Sequence, residues 1–200
     1  MNPDNDTSID ILVPMYRVNT SFIQRLRELK IPDDTKVTIR IRIDNQVSMA
    51  ESQELDALAS YGIKITINES NIGASETRNR LYQDCQSQYA LFLDDDVEPD
   101  DNIIVGYVKA IKKYPEAAGF VGLSQMPEDG RLWTDAIHVS SLYFWHIAKH
   151  TENPVSWGVT ANLMVRWKPH VKFDLRYPKT GGGEDIDFCI QLGHNFQPVK

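Results

Sequence analysis

The feature that most constrains the fold is a regular alternation of short apolar runs with helical patterns. Apolar or alternating runs of strand length occur at residues 9–13, 37–43, 63–67 and 89–93. Each is followed by a stretch in which apolar residues recur at helical spacing, at residues 22–29, 55–59, 74–86 and 103–114. Four such units in succession predict an α/β fold with a mostly parallel, doubly wound central sheet and helices on both faces.

The run at residues 89–93, YALFL, is apolar throughout, which is typical of a central strand that is covered on both faces. A fifth strand is predicted at residues 119–123. In open α/β sheets, ligands bind beyond the carboxyl ends of the strands. We therefore expect the functional site in the loops that follow Val13, Ile43, Ile67 and Leu93.

The second half of the chain differs in character, because all four tryptophans lie after residue 126. Irregular strands and loops that cover the site are expected there, with a strand at residues 161–165. A helix is predicted at Glu184–Leu192, opened by the glycines at 181–183. No repeat or linker divides the 200 residues, which predicts a single domain, either complete or cut from a longer protein.

Composition excludes several classes of protein. The formal net charge of -7 argues against a general nucleic-acid binder, which is more often basic. Cys85 and Cys189 are far apart and outside any CxxC pattern, so we expect two buried apolar side chains and no disulfide. No apolar run is long enough for a transmembrane helix, and the first residues, MNPDNDTS, do not resemble a secretory signal. The chain is therefore predicted to be soluble and cytoplasmic.

Three adjacent carboxylates, Asp94, Asp95 and Asp96, directly follow the predicted central strand. Because like charges repel, a compensating partner is expected, and hard oxygen ligands suit Mg²⁺ or Mn²⁺. The alternative is a solvated acidic turn that caps the next helix through Asp100 or Asp101. The position of the three residues at the end of a buried strand favours the metal site.

These residues resemble a known family. The segment FLDDDVEP, residues 92–99, resembles the DxD segment of the GT-A fold glycosyltransferases, particularly family 2. Four further segments resemble motifs of that family in the same order: ILVPMY at 11–16, Ile43-Asp44-Asn45, NIGASETRN at 71–79 with Thr77 in place of the usual alanine, and GGEDIDF at 182–188. The resemblance extends from Ile9 to about Leu192. It implies a single Rossmann-like GT-A domain, with a nucleotide-sugar-binding half at residues 1–125 and an acceptor-side half at 126–200.

The resemblance also implies roles on the donor side. Asp94 would contact the ribose, Asp95 would assist in binding the nucleotide sugar, and Asp96 would bind Mn²⁺ or Mg²⁺. The remaining contacts to the nucleotide sugar would come from Pro14, Tyr16, Asp44, Gly73 and Arg78. Relatives often carry a histidine metal ligand downstream of the last motif, and the sequence leaves open whether water or a residue beyond Lys200 takes that place.

Each of these side chains also has a structural interpretation. Tyr16 either stacks on a uracil ring or packs on a helix, and Asp44 either accepts a base N–H or stabilises a turn. The Arg78 guanidinium suits phosphate oxygens, but it also suits an ion pair with Glu76 or with the acidic turn.

On the acceptor side, Asp185 matches the catalytic base of the family, and Glu184 and Asp187 would position the acceptor. The function implied is inverting transfer from a UDP-sugar to a hydroxyl of a glycan or another acceptor, with a divalent metal. One alternative is a non-catalytic module that binds a nucleotide sugar or a partner. Another is a sugar-phosphate nucleotidyltransferase, although the loop after Val13 lacks the glycines typical of that reaction.

Overall fold

A computed structural model describes residues 6–125, 129–139, 147–177 and 182–200. Within them the strands are β1 Thr7–Met15, β2 Thr35–Ile43, β3 Lys64–Ile67, β4 Tyr89–Leu93, β5 Gly119–Gly122, β6 Asn162–Arg166 and β7 Phe196–Val199. The helices are α1 Thr20–Arg27, α2 Met49–Ala59, α3 Ala74–Gln83, α4 Ile103–Lys113, α5 Leu132–Val139, α6 Ile147–His150 and α7 Glu184–Leu192.

The seven strands form one sheet in the order β3-β2-β1-β4-β6-β5-β7. β1 lies near its centre and pairs in parallel with both β2 and β4, and β3 continues the parallel set. β6 runs antiparallel to both of its neighbours, while β5 and β7 are again parallel to each other. The prediction of an α/β fold with a mostly parallel central sheet is confirmed.

Hydrophobic residues are buried on both faces of the sheet. One core holds the alternate residues Tyr89, Leu91 and Leu93 of β4, packed with apolar side chains of α1, α2 and α4. The other holds Ala90 and Phe92 together with apolar side chains of α3 and α7. This double burial explains why β4 is apolar at every position, as the sequence pattern indicated.

Three differences from the sequence prediction have local causes. β1 continues through Pro14 to Met15. Proline has no backbone N–H, but the pairing of β1 with β4 ends at Leu12, so no hydrogen bond to β4 is lost at Pro14. α3 ends at Gln83 instead of residue 86, because the backbone N–H of Gln86 donates to buried Asp10. If the three aspartates formed only a solvated acidic turn, Asp100 or Asp101 was expected as the N-cap of α4. The N-cap residue is Asn102.

The second half contains more regular structure than the expected strands and loops. Helices α5 and α6 were not predicted, since their short apolar patterns do not complete the repeat of a long amphipathic helix. β7 was also missed, because Pro198 interrupts its pattern. A proline is tolerated there because β7 is an edge strand.

The reversal of β6 brings an additional loop to the carboxyl edge of the parallel strands. Asn162, the first residue of β6, pairs with Leu93, the last residue of β4. The turn that precedes β6 therefore lies beside the loop that follows β4. Among the described residues, no helix is long and apolar enough to cross a bilayer.

Candidate functional site

The centre of the candidate site is Arg78, which joins two distant segments of the chain. Its Nη2 donates to Oδ1 of Asp94 at 3.0 Å, and its Nη1 lies 3.8 Å from Oε1 of Glu184. The arginine side chain is only 9% exposed. The acidic turn after β4 and the start of α7 are therefore held together by one buried cation.

Local packing fixes the position of Arg78 on α3. The guanidinium carbon lies 5.9 Å from the centre of the Phe173 ring. The neighbouring Asn79 makes two hydrogen bonds to the backbone of Phe173, one as donor and one as acceptor. Of the two ion pairs considered for Arg78, the structure contains the one with the acidic turn. Glu76 pairs instead with Arg80, one helical turn away on the exposed side of α3.

Asp44 lies at the end of β2 and organises the loop that leads into α3. Its carboxylate is buried and accepts from the backbone N–H of Ile72 and of Gly73, each at 2.8 Å. The amide of Asn68 donates to the same carboxylate at 3.0 Å. Gly73 has a φ of 90°, a conformation that favours glycine. A carboxylate has about four acceptor sites, so room remains for one further donor, and a base contact at Asp44 stays a prediction.

The acidic turn contains three carboxylates in different surroundings. Asp94 is partly buried against Arg78, and Asp96 is exposed. Burial, with a smaller contribution from the neighbouring charges of Asp96 and Asp94, raises the pKa of Asp95 to about 6. The turn is anchored by Asn19, whose amide donates to the backbone carbonyl of Asp95 at 3.0 Å. An open depression of about 300 Å³ lies between the turn and the start of α1.

The turn has the chemistry of a site for a hard cation. Its oxygens suit Mg²⁺ or Mn²⁺, which commonly take only one or two carboxylates and complete their shell with water and phosphate oxygens. A cation would also relieve the mutual repulsion that contributes to the raised pKa of Asp95. Within residues 6–125, 129–139, 147–177 and 182–200, no three His, Cys, Asp or Glu side chains converge into a complete metal cage. The carboxylates of the turn, completed by water and phosphate oxygens, are a donor set that fits such a cation.

Asp185 lies in the first turn of α7, which begins after Gly183 in a left-handed conformation with φ 105°. Its two carboxylate oxygens accept from the backbone N–H and from the hydroxyl of Thr160, at 3.3 and 3.1 Å. Burial is the main cause of a raised pKa for Asp185. The charge of Glu184 adds to the rise, while Arg78 and Thr160 oppose it.

Two buried polar atoms beside Arg78 have no hydrogen-bond partner among the described residues. They are Nε of Arg78 and Oε2 of Glu184. A buried polar atom without a partner costs free energy. One atom is a donor and the other an acceptor, so a ligand carrying both phosphate oxygens and hydroxyl groups would satisfy them.

The remaining predicted residues lie at the edges of this arrangement. Tyr16 follows β1 with its side chain about half exposed, and Pro14 is partly buried opposite Arg42. The Asp187 carboxylate accepts from the amide of Gln191 at 2.8 Å. Asp187 is one turn of α7 beyond Glu184, the residue that pairs with Arg78. Its role in acceptor binding stays a prediction.

Sequence reasoning missed three residues that hold the site in place. Asn79 lies within the segment that resembles the family, so it could have been singled out from that motif. Thr160 and Asn19 lie outside every such segment, and no periodicity marks them. Cys85 and Cys189 are both buried, as expected, and burial raises the pKa of each thiol to about 12.

The fold is similar to that of several solved structures. TarS 1-349 from S. aureus in complex with UDP has a TM-score of 0.65 and 16% identity, over 96% of this chain and 57% of that chain. The same protein in complex with UDP-GlcNAc has a TM-score of 0.63 and 16% identity, over 96% of this chain and 55% of that one. The mannosyltransferase PcManGT from Pyrobaculum calidifontis, in complex with GDP-Man and Mn²⁺, has a TM-score of 0.64 and 14% identity, over 98% and 55%.

The chain therefore spans a little more than half the length of these structures. No curated protein matches the sequence. The model of glycosyl transferase family 2 matches residues 10–171, which include the acidic turn, Asp44 and Arg78. The expected resemblance and GT-A architecture are confirmed, and the chain belongs to glycosyl transferase family 2.

Proposed function

We propose that this chain is an inverting glycosyltransferase that uses a divalent cation to transfer a sugar from a UDP-sugar to an acceptor hydroxyl. The observation that carries the proposal is the Arg78 bridge between the acidic turn and the start of α7. It brings carboxylates suited to the donor within reach of a buried carboxylate suited to act as a base. A purely structural acidic turn would not need a connection to a second acidic segment across the sheet.

On the donor side, the loops after β1, β2 and β3 hold the nucleotide. Tyr16 offers an exposed ring for stacking on the base, and Asp44 has one acceptor position left for a base N–H. Pro14 lies near the end of β1, just before this loop, and Gly73 allows the backbone to approach the ligand. Asp94 and Asp95 face the ribose and the sugar phosphate. The two TarS structures contain UDP and UDP-GlcNAc, which supports a nucleotide-sugar donor without identifying the sugar.

Asp96 would hold the cation, because it is the exposed carboxylate of the turn. When bound, Mn²⁺ or Mg²⁺ neutralises the charge that develops on the leaving diphosphate. Arg78 supplies a second, fixed positive charge on the inner side of the turn. The guanidinium would act on the phosphate directly, and Asp96 would act on it only by holding the cation.

Asp185 acts as the general base. It takes the proton of the acceptor hydroxyl while that oxygen forms a bond to the anomeric carbon of the sugar. The bond from that carbon to the phosphate oxygen breaks, and its electron pair leaves with the UDP. Attack from the side opposite the leaving group inverts the configuration at the anomeric carbon. Glu184 and Asp187 position the acceptor.

Burial assists this role of Asp185. A carboxylate with a raised pKa is a stronger base and therefore better matched to a hydroxyl near neutral pH. The positive charge of Arg78 opposes the rise and favours the ionised form of Asp185, which is the form that acts as a base.

The first test measures hydrolysis of a panel of UDP- and GDP-sugars, with and without Mn²⁺, and the transfer of sugar to candidate acceptors. The Asp185→Asn variant should retain donor binding and lose transfer by a factor of about 10² to 10⁴. The matched control is Asp56→Asn, the same change at an exposed position of α2. Near-normal turnover of Asp185→Asn would remove Asp185 as the base. Binding without turnover in the wild type as well would favour the non-catalytic module.

A second test concerns the cation. The Asp96→Ala variant should lose the Mn²⁺-dependent part of UDP binding, measured by calorimetry at several Mn²⁺ concentrations. Unchanged UDP affinity in the presence of Mn²⁺ would contradict the assignment of Asp96. The configuration of the product at the anomeric carbon, read from proton coupling constants, tests inversion separately.

A further inference from the structure

Thr160 contacts Asp185 in a way that no sequence motif indicated. Its backbone N–H donates to Oδ2 at 3.3 Å, and its side-chain hydroxyl donates to Oδ1 at 3.1 Å. Thr160 itself is 2% exposed, so water does not compete for the two donors. Because one residue binds both oxygens, the carboxylate cannot rotate about its Cβ–Cγ bond without losing a hydrogen bond.

The turn that carries Thr160 is held firmly. Gly158 packs so tightly that a Cβ there would lie 2.6 Å from a methyl group of Val121. The N–H of Asn162 closes the turn on the carbonyl of Val159 at 3.2 Å. The side chain of Asn162 accepts from the hydroxyl of Tyr107 at 2.6 Å, which ties the turn to α4. The two donors of Thr160 are thus fixed relative to the sheet.

The charged and titratable groups that face Asp185 come from two helices. Arg78 on α3 favours the ionised carboxylate, whereas Glu184 on α7 opposes it. Cys189, one turn further along α7, is a buried thiol that remains protonated. These groups influence the charge of Asp185, but hydrogen bonds are directional, and those of Thr160 determine the orientation of the carboxylate.

We propose that Thr160 is a positioning residue for the base, which orients the Asp185 carboxylate towards the acceptor hydroxyl. Each carboxylate oxygen has two lone pairs, and Thr160 occupies one on each. The remaining lone pairs are then directed away from the turn, where a hydroxyl can approach. This inference rests on the proposed function of Asp185, and it adds a residue that acts through the base without touching the substrate.

The test compares the variants Thr160→Val and Thr160→Ser. Valine retains the shape of threonine but removes the hydroxyl donor, whereas serine retains the donor. Loss of a hydrogen bond to the ionised carboxylate raises the pKa of Asp185. The acidic limb of kcat/KM should therefore move up by about one pH unit, because a bond to a charged group of this kind is equivalent to one unit or more. We expect kcat at the plateau to fall about tenfold, since the carboxylate is no longer held in one orientation.

Thr160→Ser should return the acidic limb to within about 0.3 units of wild type, with most of kcat restored, since it rebuilds the same bond. Equal losses in the serine and valine variants would overturn the proposal, and so would an unmoved acidic limb in the valine variant. Should the valine variant fail to fold, Thr160→Ala removes the same hydroxyl and is judged by the same criteria.

A second measurement separates this inference from the proposed function. The carboxyl carbon of Asp185, assigned by comparison with Asp185→Asn, can be titrated by NMR without substrate or metal. The pKa should be higher in Thr160→Val than in wild type, and close to wild type in Thr160→Ser. If the wild type transfers no sugar, the proposed function fails while this titration still decides whether Thr160 controls the carboxylate. An identical pKa in all three proteins would overturn the inference even in an active enzyme.

Discussion

Replacing Arg78 with methionine should destabilise the protein substantially, because two carboxylates would lose their shared cation. Methionine fills most of the space of the arginine stem but carries no charge. Breaking a fully buried ion pair costs about 3–5 kcal/mol, and a charge-assisted hydrogen bond contributes about 1.5–3 kcal/mol. The Asp94 side chain retains 31% exposure, so water partly replaces the lost partner. We therefore expect a loss of about 2 kcal/mol.

The assay is urea unfolding at pH 7 without ligand, in which the midpoint should fall while the m-value stays constant. A loss of this size corresponds to a decrease of about 4–8 °C in Tm for a chain of this length. Arg80→Met is the matched control, because Arg80 is 44% exposed and pairs with Glu76 within the same helix. Its loss should not exceed about 0.5 kcal/mol.

A double-mutant cycle identifies the partner of the arginine. Arg78→Met combined with Asp94→Asn should show a coupling of at least about 1 kcal/mol, because the two side chains are in direct contact at 3.0 Å. Equal and small losses in Arg78→Met and Arg80→Met, or strict additivity with Asp94→Asn, would refute the assignment of Arg78 as the buried bridge.

Three further outcomes follow from the structure. The kcat/KM of the wild type should rise with pH through a pKa above that of an ordinary aspartate, because burial raises the pKa of Asp185 and the base works only when ionised; a limb at or below the ordinary value would contradict this. Gly158→Ala should cost about 1–3 kcal/mol in urea unfolding, since the new Cβ would lie 2.6 Å from Val121. Gly182→Ala should cost far less, because no atom of the described residues lies within 4 Å of its new Cβ. Asp44→Asn should lower stability by about 1–3 kcal/mol and weaken nucleotide binding. The backbone N–H groups of Ile72 and Gly73 donate to different oxygens of Asp44, and the amide nitrogen that replaces one of these oxygens cannot accept; unchanged stability by thermal melting would disprove that role.

The first half of the fold was predictable because its signals are local. The alternation in β2 and the continuous apolar run of β4 follow directly from burial on one or both faces. The start of α7 was also predictable, because a left-handed glycine precedes a run of acidic residues. In these segments neighbouring residues carry enough information to determine the structure.

The rest depends on contacts between distant residues. Nothing in the local sequence of Thr160 indicates that Asp185, 25 positions later, will accept two hydrogen bonds from it. Arg78 pairs with the acidic turn and not with Glu76 because it lies on the buried face of α3, whereas Glu76 lies on the exposed face. Such choices depend on how the helices pack on the sheet, and a single sequence does not reveal that packing.

The reversed direction of β6 has a consequence for how this chain can change over evolution. The connection from β5 to β6 leaves the sheet and returns to it at the same edge, where Asn162 pairs with Leu93. Insertions or deletions in the part of this connection that precedes Gly158 therefore need not change the hydrogen-bond register of the strands. The turn just before β6 is different, because Gly158 packs against Val121 and Thr160 binds Asp185. We therefore expect changes of length to be tolerated ahead of this turn and selected against within it.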